Sequence, residues 1–93
     1  MRTTEVIGYL DSRIESLKVR FTLADERAER LGAVAREFDE STDPGPAADA
    51  RLDRLMDVAI RAKDLCELIS DRLSFLVEAR DLIVKEHEMS PER

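Results

Sequence analysis

The chain has little of what disulfides, membrane spans or aromatic-rich cores require. Its 93 residues contain no tryptophan, one tyrosine, one histidine and one cysteine. A single cysteine excludes an intrachain disulfide, and residues 1–5 lack the apolar run of a signal peptide, so we expect a cytoplasmic protein. No apolar stretch approaches the roughly 18 residues that a membrane span needs, and we expect no membrane partner.

The residues that catalysis or metal binding requires are scarce and scattered. Cys66 falls on an apolar position, where a small buried side chain is the expected role. His87 lies about six helical turns away and has no carboxylate or second histidine at the three- or four-residue spacing of a helical metal site. The glycines are isolated and form no phosphate-binding loop. We therefore predict no enzyme activity, no cofactor, no catalytic residue and no metal site.

Residues that break helices are concentrated in one place. Pro44, Gly45 and Pro46 interrupt a chain that is otherwise free of proline from its start to Pro91. The sequence therefore predicts one helical-hairpin domain over residues 1–93. It would contain helix 1 over about 4–41, a loop over 42–47, helix 2 over about 48–89 and a frayed tail over 90–93.

Apolar residues are abundant and recur at alternating spacings of three and four. The chain is 43% hydrophobic and 39% charged, a mix that is typical of a coiled coil. Alternating spacing is the heptad pattern of helices that pack along one seam. The predicted seam has twenty residues: Ile7, Leu10, Ile14, Leu17, Phe21, Ala24, Ala28, Leu31, Ala35 and Phe38, with Leu52, Leu55, Ala59, Ala62, Cys66, Ile69, Leu73, Leu76, Arg80 and Ile83.

A loop this short forces the two helices to run antiparallel. Folding at the prolines places residues whose numbers sum to 90 opposite each other, which brings Ala24 against Cys66 and Leu10 against Arg80. Arg80 is the one charged residue of the seam, and we expect its head group to reach water or Asp11. The expected fold is all-α, an antiparallel two-helix coiled-coil hairpin.

Helix 2 carries a second apolar stripe beside the seam. Two such stripes allow a helix to contact two neighbours, so we expect a homodimer that forms a four-helix bundle. The alternatives are that the stripe widens the hairpin core, or that a different protein covers it. The predicted interface comprises Val58, Leu65, Leu68, Arg72, Phe75, Ala79 and Leu82.

Helix 1 carries a row of arginines on a chain whose net charge is −6. In one interpretation this is a solvated face, which Glu26, Glu29 and carboxylates of the dimer mate neutralise. In the other it is a docking site for an acidic helix of another protein, or for the phosphates of RNA. The predicted row, called the arginine ridge below, comprises Arg13, Arg20, Arg27 and Arg30 of helix 1, with Arg61 of helix 2 along the same flank.

These observations favour a small non-enzymatic interaction protein. An adaptor, an assembly subunit, a secretion-type chaperone and a regulator all fit a hairpin that acts through helix-bundle contacts. The alternative is an RNA-binding hairpin that uses the arginine ridge, although an acidic chain with few aromatics is a poor match for nucleic acid. A metal-binding or enzymatic bundle is the weakest alternative, because no ligand constellation supports it.

Overall fold

Two long helices joined by a four-residue loop form the whole described fold. A computed structural model describes residues 2–89, with α1 spanning Thr3–Ser41 and α2 spanning Pro46–Met89. The helices pack along their length in a rod of 74 × 18 × 14 Å. The predicted all-α helical hairpin is confirmed. Over the described residues, neither helix carries an apolar stretch sufficient to cross a bilayer.

The start of α1 is held by backbone rather than side-chain hydrogen bonds. The N-cap residue is Arg2, whose side chain makes no capping bond. Instead the amides of Glu5 and Val6 donate to its carbonyl oxygen at 3.0 and 3.1 Å. Glu5 lies in the first turn, where its carboxylate interacts favourably with the helix dipole.

The start of α2 lies earlier than the sequence suggested. The helix begins at Pro46 rather than at about 48, which shortens the loop to residues 42–45. Proline suits a first helical position because its missing N–H has no partner there in any case. The Asp49 amide closes the first turn by donating to the Gly45 carbonyl at 2.8 Å. The tail that we expected to fray lies outside the described residues.

The core of the hairpin is the predicted seam. All twenty seam residues are buried or half-buried, although six of them are alanine or cysteine. Within residues 2–89 the side chains in the most buried class all belong to it: Ile14, Leu17, Ala28, Ala35 and Cys66. Such a core is narrow, because each helix covers the other along one stripe only.

Cross-helix contacts define the register of the two helices. In each of three contacts the two residue numbers sum to within one of 90: Asp11 with Arg80, Asp25 with Cys66, and Phe38 with Arg51. This agrees with the register expected from the position of the loop. The expected role of Arg80 is also met, since its Nε donates to Asp11 Oδ1 and its Nη1 to Asp81 Oδ1. The hydrogen bond and charge of Asp11 raise the pKa of Arg80.

The seam differs between the two ends of the rod. We call residues 3–23 and 67–89 the open half and residues 24–66 the loop half. Every seam position of the open half carries a large side chain, whereas the six small seam residues all lie in the loop half: Ala24, Ala28, Ala35, Ala59, Ala62 and Cys66. Small side chains fill less of the space between two helices, and four shallow grooves open on the loop half.

Candidate interaction face

Charge on the hairpin is sorted by position relative to the seam. A residue that immediately precedes a seam residue faces one broad side of the rod, because successive helical positions are rotated by about 100°. Of the twenty such residues, eight are arginine and one is acidic. We call this side the arginine face: Val6, Tyr9, Arg13, Ser16, Arg20, Leu23, Arg27, Arg30, Val34, Glu37, Arg51, Arg54, Val58, Arg61, Leu65, Leu68, Arg72, Phe75, Ala79 and Leu82.

The opposite broad side has the reverse composition. It consists of the residues that immediately follow a seam residue, of which eight are acidic and three are basic. We call it the acidic face. Its acidic residues are Asp11, Glu15, Asp25, Glu29, Asp39, Asp53, Glu67 and Asp81. The net charge of −6 is therefore distributed unevenly, with a positive face and a negative face on opposite sides of the rod.

Two grooves show that the helices present these residues on opposite sides. A groove of about 330 Å³ on the arginine face is lined by Ala24, Arg27, Val58, Arg61, Ala62 and Leu65. A groove of about 270 Å³ on the acidic face is lined by Gly32, Ala35, Arg36, Asp39, Leu52, Met56, Ala59 and Ile60. Apart from seam residues, every residue that lines the first groove immediately precedes a seam residue, and every residue that lines the second immediately follows one.

Two residues of the arginine ridge, one from each helix, lie together in the structure. Arg27 of α1 and Arg61 of α2 line the same groove. Arg20 and Arg13 lie one and two heptads from Arg27 along the same side of α1. Arg30 precedes the seam residue Leu31 on the same side of α1, but it also lines a groove with Glu26 and Glu29 and therefore lies at the outer edge of the arginine face.

The expected neutralisation of the ridge by nearby carboxylates is not found within the hairpin. Over residues 2–89, no salt bridge joins Arg13, Arg20 or Arg27 to an acidic group. Arg61 pairs with Asp57 at 3.1 Å, but both side chains are exposed. Exposed pairs of this kind contribute little. The ridge therefore presents guanidinium groups that are open to another molecule.

Sequence reasoning missed two arginines of this face. Arg51 and Arg54 precede the seam residues Leu52 and Leu55 and extend the positive surface towards the loop. Arg51 stacks over the ring of Phe38, with 5.5 Å between its guanidinium carbon and the ring centroid. The signal was present in the sequence, because the residue before each seam position could have been tabulated for both helices at once.

The apolar stripe of α2 is exposed on this same face. Leu68, Phe75 and Leu82 are 66%, 67% and 63% exposed, and Val58, Leu65 and Arg72 are also exposed, while Ala79 is half-buried. Tyr9 and Leu23 of α1 add exposed apolar surface beside it. The predicted dimer interface and the predicted docking row are therefore parts of one surface.

Cys66 occupies the seam at the boundary between the two halves. It is 3% exposed, and its thiol donates a weak hydrogen bond to Asp25 Oδ1 across 3.9 Å. Burial raises the pKa of the Cys66 thiol, and the charge of Asp25 raises it further. Such a thiol is a poor nucleophile. Among residues 2–89 no three metal-ligating side chains cluster.

Comparison with known proteins adds no assignment to this geometry. No protein-family model, no curated protein and no solved structure matches the chain.

Proposed function

We propose that this protein is a small non-enzymatic interaction protein whose arginine face contacts other helices. The observation that carries the proposal is the exposure of Leu68, Phe75 and Leu82, which lie seven residues apart on one side of α2. Helix-bundle subunits present this pattern where a neighbouring helix packs. The cytoplasm is the compartment that we propose for it.

A second copy of the chain is the partner that we propose for the open half. Of the eleven open-half residues of the arginine face, seven are apolar, three are arginine and one is serine. An apolar patch of this kind can cover itself when two copies meet about a twofold axis, since each offers the same surface. The narrow seam also favours association, because a lone hairpin buries few side chains.

The proposed dimer is tested by placing a charge on the stripe. Phe75→Glu puts a carboxylate into the proposed apolar interface, where it would lack a partner. We expect light scattering to give twice the 10.6 kDa chain mass for the wild type and the single mass for the variant. Circular dichroism should show a lower melting temperature for the variant, since dissociation exposes the stripe.

Ile60→Glu is the matched control for this substitution. Ile60 is 55% exposed on the same helix but lies on the acidic face, so its replacement should leave the dimer intact. A wild-type chain that is monomeric with full helicity would contradict the proposed self-association. Equal dissociation by both variants would show that the interface lies elsewhere.

A further inference from the structure

The loop half of the arginine face differs from the open half in what it can bind. Its nine residues comprise five arginines, three apolar residues and one glutamate. A second copy would bring arginine against arginine here if it covered this half face to face, and like charges that meet in an interface are destabilising. A molecule that packs against the loop half is therefore favoured if it carries negative charge.

We propose that the groove between Arg27 and Arg61 binds an acidic amphipathic helix of another protein. This inference rests on the proposed interaction function, although not on self-association. The groove of about 330 Å³ has one arginine from each helix, while Ala24, Ala62 and Leu65 contribute apolar lining. A helix with carboxylates three or four residues apart, beside an apolar row, matches both features.

The chemistry of the side chains supports a carboxylate ligand. Guanidinium groups pair with carboxylates through two parallel hydrogen bonds, which gives direction as well as attraction. Arg27 has no acidic partner within residues 2–89, and the only salt bridge of Arg61 is its exposed pair with Asp57. An incoming carboxylate therefore meets one unpaired arginine and one whose present partner is weakly held.

Two observations favour a protein helix over nucleic acid. Single strands bind where aromatic side chains stack on bases, but Tyr9 and Phe75 of this face lie in the open half, and Phe38 is already covered by Arg51. Acidic residues also border the arginine face, and a long polyanion that extended past the arginines would meet their negative charge. The outward-facing edge of α2 carries Asp57, Asp64, Asp71 and Glu78.

The proposal is tested with a synthetic peptide as the probe. The peptide is helical, carries a fluorophore, and has glutamate and leucine at three- and four-residue spacing on one side. Its counterpart has glutamine in place of each glutamate. Fluorescence anisotropy should show that the full-length wild-type chain binds the acidic peptide, more weakly as salt is raised, and does not bind the glutamine peptide.

Two double variants test the site, and each removes two positive charges from one of the two grooves. Arg27→Gln with Arg61→Gln should raise the peptide Kd about tenfold, the size expected for the loss of two partly exposed ion pairs. Arg36→Gln with Lys63→Gln is the matched control, because both residues line the groove on the other side of the same part of the rod. The control should bind the peptide like the wild type.

Several results would overturn the proposal. They are the absence of peptide binding at low salt, equal weakening by the two double variants, or binding of a labelled oligouridylate through Arg27 and Arg61 in place of the peptide. Light scattering on the same samples separates this proposal from the dimer. A monomeric wild type that binds the peptide through these arginines would refute self-association but not the docking site. A dimeric wild type that does not bind the peptide would refute the docking site but not self-association.

Discussion

The two halves of the hairpin share the same two-helix backbone but differ in how fully their seam side chains fill the gap between the helices. In the open half large seam residues fill the gap between the helices, and further apolar side chains such as Leu68 and Phe75 remain on the surface. In the loop half small seam residues leave grooves, and arginines such as Arg27 and Arg61 border one of them. Small seam residues thus open a groove between the two helices, and the residues beside the seam determine whether that surface is apolar or charged.

Thiol labelling of Cys66 gives the largest expected effect, because the seam must stay closed where the halves meet. A buried thiol with a raised pKa should react with a thiol reagent orders of magnitude more slowly in native buffer than in denaturant. Asp25→Asn removes a carboxylate that raises the pKa, so labelling of the folded variant should be faster at the same pH. Fast labelling of the native wild type would mean that the seam is open at this level.

Because the pKa of the Cys66 thiol is raised in the folded chain, the free energy of unfolding depends on pH. The unfolded thiol ionises near its ordinary pKa of about 8.5, whereas the folded thiol ionises at higher pH. The contribution of Cys66 to the free energy of unfolding is therefore fully present below about pH 8.5 and falls as pH rises from there towards the folded pKa. Urea melts should therefore show that the wild type loses free energy of unfolding relative to Cys66→Ala as pH rises through this range. Parallel pH profiles of the two proteins would contradict the raised pKa.

Core truncations compare the two halves directly. Leu17→Ala in the open half should lower the free energy of unfolding by about 2–5 kcal/mol, since it removes a large buried side chain and leaves a cavity. Ala28→Gly in the loop half should cost about 1 kcal/mol, mainly through helix propensity. Urea melts at one protein concentration measure both. Equal losses would show that the open half is no better packed than the loop half.

Asp11→Asn tests the ion pair that accommodates a charge in the open-half seam. Arg80 would keep its position but lose its charged partner on α1, leaving Asp81 at 3.5 Å. We expect a lower melting temperature than that of the wild type. Asp81→Asn is the control and should have the smaller effect, because the longer contact contributes less. The reverse order would show that Asp11 is not the main partner.

Gly8→Ala gives the smallest expected change and the opposite sign. A Cβ at Gly8 meets nothing within 4 Å, and the residue is helical, so alanine should stabilise the open half by up to about 1 kcal/mol. Gly32→Ala is the loop-half counterpart, where the Cβ would meet Arg36 Nη1 at an ordinary 3.5 Å. Thermal melts should show a gain for both, and a loss at Gly8 would mean that another chain approaches it closely.

The fold was predictable from the sequence because one periodic pattern specified most of it. The spacing of residues such as Leu10 and Leu17 identified the seam, and the prolines around Gly45 identified the turn and the register. The start at Pro46 was missed because proline at a first helical position was taken as a breaker. The site was predictable only in part, since following the spacing on one helix at a time missed Arg51 and Arg54, which precede seam residues on α2 and extend the same face.

The central claim is that a second copy covers the open half of the arginine face, and hydrogen–deuterium exchange of the wild-type chain tests it most directly. The measurement compares deuterium uptake in residues 67–83 and 46–60 at protein concentrations above and below the dissociation constant of the proposed dimer. We predict that dilution raises deuterium uptake more in residues 67–83, because they lose the covering copy. Uptake that is independent of concentration in both segments would contradict the claim.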